Sequence, residues 1–183
     1  SEEALRASEM RFRSLIEHGL DNISLMDPNG TLIWENPSAI HMLGYQYDQF
    51  KGQNIFTLVH PDDINNVQMQ FADILSERGK VVHSSFRLKH SNGAWLWVEG
   101  IGTNLLHEPS VGAIVINYRD VTERKLAEEK QRASEAKLKA VFDNAPIGIS
   151  ILDADRKLLE SNNMLEQIVR INKEGLVAGA YHN

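Results

Sequence analysis

Slid along itself by 126 residues without a gap, the 183-residue chain aligns ASEMRFRSLIEHGLDNISLMDPNGTLIWEN (7–36) with ASEAKLKAVFDNAPIGISILDADRKLLESN (133–162). Identities fall at Ala7/Ala133, Ser8/Ser134, Glu9/Glu135, Ile23/Ile149, Ser24/Ser150, Asp27/Asp153, Leu32/Leu158 and Asn36/Asn162. Phe12/Leu138, Leu15/Val141 and Ile16/Phe142 correspond in apolar character. A period this long is that of a domain and not of a solenoid turn. The second copy runs for only 57 residues of its period, so the chain holds one whole domain and the beginning of another. It starts at Ser1 without a methionine, which reads as a piece of a longer protein.

Within the first copy, Leu5, Ser8, Phe12, Leu15 and Ile16 stand at helical spacing among Glu and Arg, predicting an amphipathic helix over about 2–18 with one face in want of a partner. NISLMD (22–27) and TLIWEN (31–36) flank Asp27-Pro28-Asn29-Gly30 and predict a hairpin. Short helical pieces follow Pro37, and Pro61-Asp62-Asp63 opens a helix through about Arg78, with the acids read as first-turn partners of its dipole. VVHSSFRLKH, WLWVEGIGTNLL and VGAIVINYR predict three long strands, joined by an Asn92-Gly93 hairpin and a looser loop. Asp120 is the expected N-cap of the helix that follows, with Glu123 at capping-box spacing, and that helix is expected to run over 122–145. Its two apolar stripes do not share a register, so a sustained coiled coil is not predicted.

The runs Asn36-Pro37-Ser38-Ala39, Met42-Leu43-Gly44-Tyr45, Val59-His60-Pro61-Asp62-Asp63, Phe86-Arg87-Leu88, Asn92-Gly93-Ala94-Trp95-Leu96-Trp97-Val98-Glu99 and Arg119-Asp120-Val121-Thr122-Glu123-Arg124-Lys125 resemble, in order and spacing, those of the PAS subgroup common in bacterial and archaeal sensor kinases. The resemblance implies an α+β fold: a five-stranded antiparallel sheet with short helices on one face and signalling helices at both ends. It divides the chain into a PAS sensor domain (1–126), a linker helix (127–145) and the truncated start of a second PAS domain (146–183). It also implies relay of a signal through the helix after the last strand to a histidine kinase or similar output. Asp120 and Thr122 match the family's D-[IV]-T junction and are the residues expected to transfer that signal.

Composition removes competing functions. The absence of cysteine excludes disulfides, thiolate metal sites and cysteinyl photochemistry. A net charge of −6 argues against a nucleic-acid module, which needs excess Lys and Arg on one face. The longest apolar run, Ala113–Ile116, is far short of a membrane span, so the fragment itself is expected to be cytoplasmic, with a parent that is free to be membrane-anchored. The seven histidines are scattered, and the helix DDINNVQMQFADILSERG lacks the histidine by which haem-binding relatives hold iron. Trp95 and Trp97, read as one outward and one inward aromatic, suit packing better than flavin stacking. Gly100 and Gly102 share a strand face, which admits either a close neighbour or a cavity. Paired acids (Asp62/Asp63, Glu128/Glu129) are adjacent on helices and do not face each other, and no nucleophile or phosphate-binding motif is present.

The sequence thus predicts a non-catalytic sensory module with no resident cofactor, a small-molecule ligand of unspecified kind and a downstream kinase or other output domain. A homodimer built on Leu5, Phe12, Leu15 and Ile16 is expected. Two alternatives stand beside it: a ligand-free dimerisation scaffold, and a haem or flavin redox sensor. The apolar residues of the second copy (Ile149, Ile151, Leu158, Leu165, Ile168, Val169) have no strands to cover them and are expected to dock on another chain or on the first domain.

Overall fold

The computed structural model describes residues 21–46, 49 and 51–170, together with Arg6, Met10, Ser14 and Ile16. Of the expected dimer face, Leu5, Phe12 and Leu15 lie outside the described residues. The chain divides into two compact units, Ser1–Lys125 and Leu126–Asn183.

The first unit contains β1 (Asn22–Met26), β2 (Leu32–Glu35), α1 (Pro37–Leu43), a 3-10 turn (Ile55–Thr57), α2 (Ile64–Ser76), β3 (Val81–Lys89), β4 (Trp95–Leu105) and β5 (Ala113–Asp120). The five strands form one sheet in the order β2-β1-β5-β4-β3 with every pairing antiparallel. This is the α+β architecture that the sequence motifs imply. The β1–β2 turn is closed by the Asp27 carboxylate, which accepts from the amides of Asn29 and Thr31, while Gly30 takes φ +79° as this turn requires.

Alternation sends Asn22, Ser24 and Met26 of β1 inward, opposite Tyr118, Ile116 and Ile114 of β5. On α2, Val67, Phe71 and Ile74 are buried at helical spacing and pack on β3 and β4. Burying each such side chain is worth about 1.5–3 kcal/mol, which holds the helix on the sheet. α2 is shorter than the sequence predicts. Residues 61–63 form a turn, and Asp63, at the N-cap, makes no side-chain cap, because its carboxylate is engaged by Arg87. The expectation that Asp62 and Asp63 serve as first-turn acids is therefore corrected.

The second unit holds most of α3 (Thr122–Asp143), the hairpin of β6 (Ser150–Leu152) and β7 (Leu158–Ser161), and a helical stretch over 163–170. α3 has no buried residue. The repeat reappears as hydrogen bonds. Asn36, fully buried, accepts from the amides of Ile23 and Ala39 and donates to the carbonyls of Ile16 and Asp21. Asn162, also fully buried, accepts from Ile149 and Leu165 and donates to Phe142 and Ile147, each partner displaced by 126. Asp153 repeats Asp27, accepting from the amides of Asp155 and Lys157. Burial does not repeat. Met26, Leu32 and Leu43 are 4%, 4% and 1% exposed, whereas their counterparts Leu152, Leu158 and Val169 are 51%, 54% and 44% exposed.

Candidate functional site: a core cavity and a helix stapled to the sheet

The inner face of the sheet and α2 enclose a cavity of about 50 Å3 lined mainly by apolar side chains, among them Met26, Phe71, Ile74 and Ile116. Its polar lining consists of Gln70, Ser84 and Tyr118, and the Ser84 hydroxyl donates to Gln70 Oε1 at 2.6 Å. Gly100 and Gly102 also line it. A Cβ on Gly102 meets Ile74 Cδ1 at 2.5 Å, so this glycine admits the helix, while one on Gly100 meets Tyr118 Cβ at 2.6 Å. The strand face therefore serves both purposes left open by the sequence: close approach of a helix, and space beside it.

Next to the cavity wall lies a buried polar cluster. Ser24 Oγ donates to Glu35 Oε1 at 2.7 Å, and the Tyr118 hydroxyl donates to the same oxygen at 3.2 Å. Glu35 Oε2 and Asn22 Oδ1 are buried without partners in the structure. Burial pushes the Glu35 carboxyl above its ordinary range, against the Ser24 and Tyr118 bonds that favour its ionised form. Burial and the neighbouring carboxylate hold the Tyr118 hydroxyl well above its usual value.

At the far end of the sheet, β5 passes into α3. The strand pairs through Asp120, opposite Val98, and the amide of Val121 then donates to the carbonyl of Trp97. The first helical bond runs from Lys125 to the carbonyl of Val121, which makes Val121 the N-cap. Asp120 is thus one residue too early for the expected capping box, and Glu123 falls at the second helical position. Asp120 Oδ1 instead accepts from the Thr122 amide at 2.8 Å, and Thr122 Oγ1 accepts from the Trp97 amide at 2.8 Å. Both backbone groups of Trp97 are consequently bonded to the strand–helix junction. The structure brings Asp120 and Thr122 together there, Asp120 exposed and Thr122 half-buried. Of the expected dimer face, Ile16 is half-buried, and its carbonyl is taken by Asn36.

Charged side chains around Trp97 complete the junction. Glu99 pairs with Arg124 at 2.6 Å and Lys125 at 3.6 Å, and the Arg124 bond holds its carboxyl below the ordinary range. Arg87 lies 5.2 Å and Lys125 5.6 Å from the Trp97 ring centre, within cation–π range. Arg87 is itself forked onto Asp63 by bonds of 2.9 and 2.8 Å, which hold the Asp63 carboxyl below its ordinary range. Trp97 is two residues from Trp95, so both belong to one strand face, while Val98 points into the core; the outward-and-inward assignment is corrected. Trp95 packs edge-on against His60 with ring centres 4.5 Å apart. The alternation of β4 was sufficient to find this grouping, and the Asn92-Gly93 hairpin pairs β3 with β4 as expected, but the register that sets Arg87 opposite Trp97 was not read from the sequence. Among the described residues there is no group of three or more His, Asp or Glu able to hold a metal, and no helix is long and apolar enough to cross a membrane.

Comparison with known proteins places these features. Residues 32–114 match the family model described as PAS fold, and residues 136–179 match one described as PAS domain. Sporulation kinase A of Bacillus subtilis is 28% identical over 134 residues, which cover 72% of this chain and 22% of the kinase. The two-component sensor PprA of Pseudomonas aeruginosa is 27% identical over 180 residues, covering 96% of this chain and 19% of the sensor. The chain spans only 17–22% of the length of the curated relatives it matches. Among solved structures, a domain of a sensory box sensor histidine kinase/response regulator from Geobacter sulfurreducens superposes with a TM-score of 0.53 at 28% identity, covering 63% of this chain and 96% of that one. The PAS domain of an HTR-like protein from Haloarcula marismortui shares the fold, with a TM-score of 0.56 at 22% identity, 65% of this chain and 96% of that one being covered. With the five-stranded sheet, the helix-covered cavity and two family matches along its length, this chain belongs to the PAS domain family.

Proposed function

We propose that the chain is the sensory input portion of a multidomain signal-transduction protein, a sensor histidine kinase by preference, and that it turns over no substrate itself. The observation that carries this reading is that one strand, β4, both lines the cavity through Gly100 and Gly102 and holds the head of α3 through Trp97. A small molecule in the cavity biases the packing of α2 on the sheet, and the strand that feels this change is the one bonded to the outgoing helix. Asp120 and Thr122 transfer the signal by fixing how α3 leaves the sheet. Homodimerisation uses Leu5, Phe12, Leu15 and Ile16, and the fragment works in the cytoplasm whether or not its parent is membrane-anchored.

The cavity's size supports a ligand of a few heavy atoms and no resident cofactor. About 50 Å3 holds a handful of waters and is far below the roughly 300–1,000 Å3 of pockets that take larger ligands. Among the described residues no histidine lines it, so the lining offers haem no imidazole, and its aromatic pair, Phe56 and Phe71, meets edge to face with ring centres 5.4 Å apart, which leaves no slot between the rings for a flavin. An absorbance spectrum and native mass spectrometry of the purified chain test the reading together. A colourless protein with small excess mass lost on mild activation is expected; a Soret or flavin band overturns the cofactor-free assignment. A bare dimer that no small-molecule panel stabilises replaces the sensor by a scaffold.

A further inference from the structure

Two cations lie within cation–π range of one aromatic ring at the junction, and each is also paired with carboxylate: Arg87 with Asp63 and, at 3.4 Å, Asp62, and Lys125 with Glu99, which Arg124 shares. Arg87 on β3 is held by Asp63 at the start of α2, and Lys125 in the first turn of α3 is held by Glu99 on β4. These side chains are 17–32% exposed, so solvent screens them only in part. Loss of the Asp63 fork frees Arg87 to leave the ring, and the indole then keeps only one of its two cations. Asp63 moves with α2, whose Val67, Gln70, Phe71 and Ile74 line the cavity.

We propose that Trp97 is the transmitting residue of this domain: Asp63, Arg87, Trp97 and Lys125 form a side-chain relay that ties the head of the cavity-lining helix α2 to the root of α3, in parallel with the Asp120–Thr122 backbone staple. Its biological meaning rests on the sensory reading; its physical content does not. Asp63, Arg87 and Lys125 are positioning residues that act on α3 through the indole.

The test is residue-resolved amide hydrogen exchange on the full chain, read at Trp97, Thr122 and Lys125, whose amides all bond within the junction. Leu25 and Val115, paired between β1 and β5, report whether each variant is folded. Asp63→Asn and Arg87→Gln are each expected to speed exchange at the junction by about three- to tenfold, with Leu25 and Val115 unchanged. The double exchange Asp63→Arg/Arg87→Asp separates a relay from a local ion pair. It restores opposite charges but takes the cation from the ring. Fast exchange at the junction is therefore expected to persist; a return to wild-type rates overturns the relay, as do unchanged rates in both single variants. Should Arg87→Gln fail to fold, Arg87→Lys keeps the cation and loses the fork onto Asp63, and unchanged junction rates there are equally fatal. No ligand and no kinase enter the measurement, so a relay that is present in a chain whose parent ignores every ligand sinks the sensory reading alone.

Discussion

Glu35 is the residue most at odds with its surroundings. It is a carboxyl on the inner face of an edge strand, 3% exposed, with one oxygen shared by Ser24 and Tyr118 and the other unpartnered. Its folded-state value is raised above the unfolded one, so the native state holds this proton more tightly. Below the ordinary glutamate range both states are protonated and no penalty arises. As pH climbs through the interval up to the raised folded value, the native state loses stability relative to the unfolded chain. Glu35→Gln is therefore expected to leave stability almost unchanged in acid and to raise it at neutral pH. The gain arises because the amide, which keeps the oxygen that Ser24 and Tyr118 bond, has no proton to lose as pH rises. Denaturant melts at acid and neutral pH check this, and a variant less stable than wild type at neutral pH refutes it. The residue scale is also where the sequence was least readable. Asp27/Asp153 and Asn36/Asn162 stood out as repeat identities. The aspartates do local turn work, but the asparagines bond carbonyls up to 20 residues away, which follows from how the chain folds back and not from local spacing.

Elements carry the next two expectations. At the strand–helix junction, Thr122→Val keeps the shape of the side chain and deletes the acceptor of the Trp97 amide, while Asp120→Ala deletes only the bond to the Thr122 amide. Thr122 is half-buried and Asp120 exposed, so water replaces the second bond more easily. Thr122→Val is expected to cost about 1–2 kcal/mol and Asp120→Ala about 1 kcal/mol or less in chemical denaturation. The reverse order rules out the staple as the stronger tie. On the sheet, Gly102→Ala places a methyl against Ile74 and into the cavity wall, an overpacking expected to cost about 1–3 kcal/mol. The same variant should weaken whatever small molecule the cavity binds, which calorimetry with a bound ligand measures; undiminished affinity places the ligand elsewhere. The existence of these elements was legible because hydrophobic period and turn residues are local signals. Their ends were less so: α2 begins after Asp63 and α3 after Val121, since a carboxylate taken by Arg87 and a strand still pairing through Asp120 shift the caps.

Across the molecule, the repeat offers an internal control that few chains possess. Ile23 and Ile149 make the same bond to an asparagine, as do Ala39 and Leu165, but the first copy has a covered core and the second exposes Leu152, Leu158 and Val169. Identical hydrogen bonds in unequally buried settings open at different rates. Exchange at Ile149 and Leu165 is expected to exceed that at Ile23 and Ala39 by on the order of a hundredfold or more in dilute solution. Limited proteolysis should cut within 146–183 first, with resistance appearing only as protein concentration rises; rapid trimming at every concentration speaks against association through this unit. The sequence by itself determined the strands, the turn chemistry, the duplication and the family, because each is written in spacings of a few residues or in a repeat. Only the tertiary structure decided that Arg87 faces Trp97, that Asp63 leaves its helix cap for a strand, and that a glutamate is shut inside the sheet. Those outcomes depend on the register in which strands pair and on what is left to bond once water is gone, and no single strand carries either.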